Sequence, residues 1–334
     1  MDFLYATLND SFSPGQHFAL PAGSTAVVLS SGMIEFTPSS INDDTTWLLL
    51  SAGIHGNETA PIEIANAIIA DLFSGTLPLH CKLAVQFANI EAIRQGKRYI
   101  QHDMNRLFNS AHQANAATIY EAKRAAELEK LTHAFFTAAP SSLPTKGYHY
   151  DMHTAIRGSI YPQFAVCPFQ LARSYPFPAL ATLGHTGIAT VLLSRAPSCT
   201  YSDYSSRLLG VNAFTLELGK AYPLGQNDLT QFTHFDQALR EQISTPHFTP
   251  PPINRDCLTV FRAKYDLIKH SEQFVLNVAS TTENFTLLPD GFIIAEEQSH
   301  RYIAHGGNER IVFPNPHVQP GLRAGIIVEP FSLP

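Results

Sequence analysis

Trp47-Leu48-Leu49-Leu50-Ser51-Ala52-Gly53-Ile54-His55-Gly56-Asn57-Glu58 is the stretch on which the reading of this chain turns. Its compact apolar run reads as a strand buried on both faces. The run breaks at a Gly-rich turn, and an amphipathic helix follows at once, with Asn57 as its candidate cap. His55 and Glu58 therefore fall between the carboxyl end of a strand and the start of a helix, the edge at which open α/β sheets bind ligands. An imidazole and a carboxylate three residues apart can supply two of the three protein ligands of a catalytic zinc. The same His-x-x-Glu spacing also arises by chance, so the rest of the chain decides.

On the amino-terminal side, residues 1–45 carry short alternating segments at 24–29 and 33–36 that read as edge strands. On the carboxyl side, Ile62, Ala65, Ile69 and Leu72 recur at helical spacing and predict a helix over about 58–73, with Pro61 tolerated in its first turn. A strand over 82–88 follows, then a polar, irregular stretch over 90–112. A connection this long inside a compact domain is more often functional than not. An Ala- and Glu-rich helix is expected near 115–138, and a strand near 146–153. Strand and helix signals alternate again through 163–167, 177–183, 188–193 and 212–218 to a helix near 228–243, which argues for a largely parallel sheet covered by helices. The proline cluster within 245–252 is the best linker. It divides an α/β domain, 1–248, from residues 249–334, where short strands and turns predict a small all-β domain.

The chain's 334 residues are ample for a large core and a smaller second domain. Hydrophobic residues at 45% and charged residues at 15% are ordinary for a globular protein. The first residues lack a basic region followed by an apolar core, and no run reaches membrane-spanning length, so the expected compartment is cytoplasmic, with no membrane partner. Cys81, Cys167, Cys199 and Cys257 are widely scattered, which argues against a disulfide framework and against a thiolate zinc site. A net charge of −6 gives no reason to expect nucleic acid as a partner. Within that acidic chain, Arg94, Lys97, Arg98 and Arg106 form a dense basic cluster.

A hydrolytic zinc site needs three protein ligands, an open position and a base for the attacking water. His153 is the natural third ligand: it ends a strand, and Asp151, two residues earlier, points to the same side. It is also one of 15 histidines, and a core histidine bonded to a backbone carbonyl is the alternative. Glu217 is the candidate base, because it sits in the apolar strand Phe214-Thr215-Leu216-Glu217-Leu218. Buried carboxylates are rare unless paired or functional, and desolvation raises their pKa toward the range useful for proton transfer. Its alternative is an edge-strand carboxylate in water.

The set His55-Gly56-Asn57-Glu58, Arg98-Tyr99, Asp103-Met104-Asn105-Arg106, Asp151-Met152-His153-Thr154 and Glu217-Leu218-Gly219 resembles the succinylglutamate desuccinylase/aspartoacylase family, which is related to the zinc carboxypeptidases. The motifs follow the family's order from about residue 46 to the carboxyl end, and the segments at 311–316 and 320–325 resemble its β domain. The segments at 153–159 and 215–220 look closer to the desuccinylase branch. The resemblance implies a carboxypeptidase-like mixed sheet flanked by helices, with a smaller C-terminal all-β domain. It implies one Zn2+ per chain on His55, Glu58 and His153, with Asp103 orienting a ligand histidine. Arg98 would polarise the scissile carbonyl, and Asn105 and Arg106 would hold a carboxylate of the amino-acid half. Glu217 would take a proton from water and deliver it to the departing amine. Arg157 is a candidate anchor for a further carboxylate, or else a structural salt bridge. The implied reaction is hydrolysis of N-succinyl-L-glutamate to succinate and L-glutamate, the last step of the succinyltransferase route of arginine breakdown. That small polyanionic substrate would give the basic cluster a purpose. The alternatives are an aspartoacylase-like or other N-acyl amino acid amidohydrolase, and a non-catalytic sensor of acidic amino acids.

Overall fold

The computed structural model describes residues 1–114, 118–139, 146–155, 157–170, 175–298 and 300–333. The amino-terminal part contains α1 (Phe3–Leu8), β1 (His17–Ala19), β2 (Thr25–Ser30), β3 (Met33–Thr37), β4 (Trp47–Ala52), α2 (Ala60–Ser74), β5 (Lys82–Phe87) and α3 (Ile90–Arg94). The central part contains α4 (Tyr120–Thr137), β6 (Gly147–Ala155), β7 (Phe164–Cys167), α5 (Phe177–His185), β8 (Thr190–Leu193), α6 (Tyr201–Leu209), β9 (Asn212–Lys220) and α7 (Thr233–Ser244). The remainder is β10 (Thr259–Ile268), β11 (Val275–Leu276), β12 (Thr286–Leu287), β13 (Ile293–Glu297), β14 (His300–Ile303), β15 (Arg310–Val312) and β16 (Arg323–Pro330).

All six side chains of β4 are buried, as its unbroken apolar run predicts. It pairs in parallel with β5 on one side and β6 on the other, and β6 pairs in parallel with β9. Parallel pairing is confined to this centre and to β7-β8-β10; the full sheet is mixed, with thirteen strands in the order β1-β2-β3-β5-β4-β6-β9-β7-β8-β10-β16-β15-β12. That corrects the expectation of a largely parallel sheet. The hairpin joining β2 to β3 is too short for a crossover, so these edge strands run antiparallel. Strand β10 pairs in parallel with β8 and so joins the smaller C-terminal β domain to the central sheet, while β11-β13-β14 form a second sheet.

Both faces of the central strands are covered. Leu48, Leu50, Tyr150, Met152, Phe214 and Leu216 share one apolar cluster with Ile62, Ile69, Leu180 and Leu239 of α2, α5 and α7. Each such fully buried side chain contributes about 1.5–3 kcal/mol. On the opposite face Trp47, Leu49 and Ala213 pack with Ala125 and Leu128 of α4 and Tyr204 of α6.

Three local expectations change. Helix α2 begins at Ala60 after Thr59, so Asn57 is not its cap. Residues 55–58 instead form a turn in which Glu58 N–H donates to His55 O (3.1 Å) and Gly56 N–H to Arg98 O (3.2 Å), so the helix begins only after the segment that carries His55 and Glu58. The stretch over 90–112 contains α3, capped by Asn89, and two 3-10 turns. Helix α4 starts at Tyr120; residues 115–117 of the expected helix lie outside the described residues. Helices α1 and α6 were not expected, and the buried residues of α6 are Tyr201, Ser202, Asp203, Tyr204, Ser205 and Ser206. Arg94 of the basic cluster pins α1, donating to Leu8 O (3.0 Å) and to Asp10 Oδ1 (2.7 Å). Among the described residues no helix is long and apolar enough to cross a membrane.

Candidate active site

Strand β4 ends at Gly53, whose φ of +71° suits glycine. Three residues on, a Cβ at Gly56 would lie 2.1 Å from the Ala92 carbonyl carbon, so only glycine lets this turn pack on α3. The turn aims His55 and Glu58 into one buried point. Glu58 Oε2 accepts from His153 Nδ1 (2.9 Å) and from Thr154 N–H (3.1 Å), and its Oε1 lies 2.9 Å from His55 Nδ1. The ligand atoms of His55, Glu58 and His153 lie within 4.8 Å of one another, a group able to hold a metal ion. Each imidazole is held from behind by a carboxylate. His55 Nε2 donates to Asp103 Oδ1 (2.9 Å), and His153 Nε2 donates to Asp151 Oδ2 (3.1 Å).

This donor set fits a dication. His55 Nδ1 is buried and, despite its proximity to Glu58, has no hydrogen-bond partner along a usable direction. Two imidazoles and a carboxylate are a protein ligand set that zinc takes in catalytic sites with one position left open. The metal-free electrostatics point the same way. Burial disfavours the imidazolium of His55, but the Glu58 and Asp103 carboxylates outweigh it and raise its pKa. Asp151 and Glu58 do the same for His153. Burial would raise Glu58, yet His55 and His153 hold it well below the usual carboxylate range. Asp103 is likewise depressed against burial, by His55 first and then by Arg106 and Arg98. Protons thus sit where a cation would, and metal binding releases them.

Glu217 stands on β9 directly opposite His153 of β6 in the parallel register. It is buried, and among the described residues its carboxylate has no hydrogen bond or ion pair. Burial, with the Glu58 charge, pushes its pKa up to about 7 against the pull of His153, His55 and Arg98. A lone carboxylate poised near neutrality beside His55, Glu58 and His153 has the chemistry to carry a proton.

The arginine-bearing loop closes over this point. Arg98 Nη1 donates to Glu58 Oε1 (2.9 Å). Asn105 Oδ1 accepts from Tyr201 N–H (2.9 Å) at the start of α6, leaving its Nδ2 without a partner among the described residues. Arg106 is exposed, and its Nη1 donates to Asn105 O (2.8 Å); among the described residues no carboxylate lies within ion-pair distance of it. Arg157 donates from Nη1 to Ser280 O, across to the C-terminal strands, rather than making a salt bridge. Arg323, at the start of β16, had no role in the sequence reading. Burial lowers its pKa, Asp266 at 3.5 Å opposes that, and the Arg106 charge lowers it further.

Glu121 was also missed. It is fully buried in the first turn of α4 and accepts from Ile100 N–H (2.6 Å), Gln101 N–H (3.2 Å) and His102 N–H (3.4 Å). In return Gln101 Oε1 accepts from Tyr120 N–H (2.8 Å), so loop and helix cap each other. Beneath the site lies a buried polar layer that includes Ser51 and His149. The alternation His149-x-Asp151-x-His153 in a strand with both faces sealed was the available signal, since the polar side of such a strand must find partners inside.

Two family models match the chain. The succinylglutamate desuccinylase/aspartoacylase catalytic domain covers residues 44–243, and the AstE/AspA barrel-sandwich hybrid domain covers 256–331. Succinylglutamate desuccinylase of Chromobacterium violaceum is 50% identical over 333 residues, 99% of this chain and 98% of that protein. The Pseudomonas aeruginosa enzyme of the same name is 43% identical over 306 residues, 91% of this chain and 90% of its own. The crystal structure of the Chromobacterium violaceum protein superposes with a TM-score of 0.88 at 48% identity, covering 100% of this chain and 98% of that one. The Vibrio parahaemolyticus succinylglutamate desuccinylase structure gives 0.88 at 31% identity, over 98% and 94% of the two chains.

Proposed function

The chain belongs to the succinylglutamate desuccinylase/aspartoacylase family, and on that premise we propose that it hydrolyses N-succinyl-L-glutamate to succinate and L-glutamate, using one zinc ion, within arginine breakdown. The observation that carries the reading is the convergence of His55, Glu58 and His153 with an unpartnered Glu217, in a chain half identical to a succinylglutamate desuccinylase.

His55, Glu58 and His153 would hold the metal, with Asp103 and Asp151 fixing the two imidazole tautomers. A dication held there supplies Lewis acidity, making water a better nucleophile and the amide carbonyl a better electrophile. Glu217 takes the proton that water loses as its oxygen bonds to the succinyl carbonyl carbon. Arg98, already directed at this point by Glu58, meets the oxyanion that develops on the former carbonyl oxygen. Glu217 then hands its proton to the glutamate nitrogen as the C–N bond breaks, leaving succinate and the free amine. A carboxyl group with a pKa near 7 can perform both transfers at neutral pH.

Asn105 Nδ2 and the exposed Arg106 are donors available for a substrate carboxylate, which favours an anionic ligand over a neutral one. Arg157 would have to release Ser280 to take a further carboxylate. The direct test assays purified protein side by side on N-succinylglutamate, N-acetylaspartate and a peptide with a free C-terminus. Preference for the succinyl substrate is expected. A preference for a neutral acyl group overturns the assignment, and no turnover with no bound metal favours a sensor.

A further inference from the structure

Five buried side chains form one unbroken hydrogen-bonded path from α6 to a proposed metal ligand. Ser205 Oγ lies 2.8 Å from His149 Nδ1, and His149 Nε2 lies 2.8 Å from Ser51 Oγ. Ser51 Oγ lies 2.7 Å from Asp151 Oδ1, and Asp151 Oδ2 lies 3.1 Å from His153 Nε2. None of the five is more than 2% exposed, so water cannot stand in for a missing partner. The strand register builds this: Ser51 of β4 lies opposite Asp151 of β6, and His149, Asp151 and His153 alternate onto the same side.

Elementary chemistry sets the direction of every proton. Asp151 stands between two donors, Ser51 Oγ at one oxygen and His153 Nε2 at the other, and a carboxylate bonded on both oxygens only accepts. The Ser51 hydroxyl must therefore donate to Oδ1, and His153 Nε2–H to Oδ2. With its hydrogen committed to Asp151, Ser51 Oγ can only accept from His149, so His149 Nε2 carries the hydrogen. Burial keeps the His149 ring neutral, with a pKa lowered to about 4, so Nδ1 has a lone pair and accepts from the Ser205 hydroxyl. No link is ambiguous, and His153 is left presenting Nδ1 to the centre.

We propose that Ser51 and His149 are positioning residues for the metal site: through Asp151 they lock the orientation and tautomer of His153 and so set the affinity for the ion. This rests on the metal reading above. Without the Ser51 hydroxyl, Asp151 loses a donor that fixes its plane, and the buried His149 N–H loses its acceptor. Side chains that orient a ligand's partner change metal affinity without touching the ion.

The test measures Zn2+ affinity by chelator competition for the parent, Ser51→Ala and Ser51→Thr, and ring-nitrogen NMR signals on 15N-histidine-labelled parent. Ser51→Ala should weaken zinc by about 10-fold to 100-fold, the range for outer partners of a ligand, while Ser51→Thr, which keeps the hydroxyl, retains most of the affinity. The His149 signals should report a hydrogen on Nε2 and none on Nδ1. Parental zinc affinity in Ser51→Ala overturns the proposal, and so does a His149 hydrogen on Nδ1. If Ser51→Ala does not fold, Ser205→Ala at the outer end decides: a smaller loss of affinity with displaced His149 signals supports the path, and no change in either overturns it. A parent that binds no zinc breaks the metal reading alone, and the His149 tautomer then still decides the path.

Discussion

On one side of β6, Tyr148, Tyr150 and Met152 join an apolar cluster with α2, α5 and α7; on the other, His149, Asp151 and His153 lie among hydroxyls, carboxylates and imidazoles beneath α4 and α6. Both sides are sealed from water. The first is held by area removed from solvent, which is non-directional and tolerates exchange of one apolar side chain for another of similar volume. The second is held by donors and acceptors that must each be matched, because an unmatched buried polar group costs about 1–3 kcal/mol. Stability should therefore reside mainly on the apolar side and function on the polar side, and that division can be broken.

The largest effect should come from stripping metal. Dialysis against a chelator should abolish turnover without unfolding the apolar core, and added Zn2+ should restore it; full activity in protein shown by elemental analysis to lack metal would end the hydrolase mechanism given above. Next, Glu217→Ala should retain zinc and lose turnover by about two to four powers of ten, the usual contribution of a general base. Steady-state kinetics on metal-loaded protein reads this, and undiminished kcat removes Glu217 from the proton path. On the apolar side, Leu50→Ala should cost about 2–5 kcal/mol of stability, seen as a lower denaturant midpoint, while kcat per folded molecule holds. A Leu50→Ala variant that unfolds normally but loses turnover would dissolve the contrast between the sides.

Glu121→Gln is expected to raise KM by about tenfold, one hydrogen-bond's worth of loop placement, with kcat and zinc content little changed, because the arginine loop and not the ligand set hangs from it. A fall in zinc content instead would place Glu121 in the metal site's support. The smallest effect concerns pH. Glu217 titrates in the metal-free fold at about 7 against an ordinary 4.5, so the folded state holds this proton more tightly than the unfolded chain. Its ionisation destabilises increasingly as pH rises from about 4.5 to about 7, and by a constant amount above that. Metal-free Glu217→Gln should thus melt higher than the metal-free parent at pH 8, with the gain shrinking toward pH 5; a gain that grows on acidification reverses the sign and discards the buried-carboxyl account.

Much of the site was legible because its residues are carried by local motifs. His55 and Glu58 share one turn, Asp103, Asn105 and Arg106 share another, and the Pro61 and Gly56 positions announce how the first turn must be built. Asn57 misled because capping preference is local, whereas the helix start was moved by the backbone bond from Gly56 to Arg98, over forty residues away in the chain. Glu121, Ser51, Ser205 and Arg323 gave no comparable signal. Each is an ordinary residue in an ordinary element, distinguished only by what strand register or helix packing sets against it.

The order of residues alone determined which segments would be buried, where the chain would turn, and which side chains had the chemistry to hold a cation or move a proton, since hydrophobic periodicity and side-chain type are properties of short stretches. Only the assembled sheet decided that Glu217 stands opposite His153, that Ser51 meets Asp151, and that the Arg106 charge is felt by Arg323 of the last strand. Those juxtapositions join residues more than two hundred positions apart at the extreme, and distance through space in a folded chain is set by pairing and packing rather than by spacing along it.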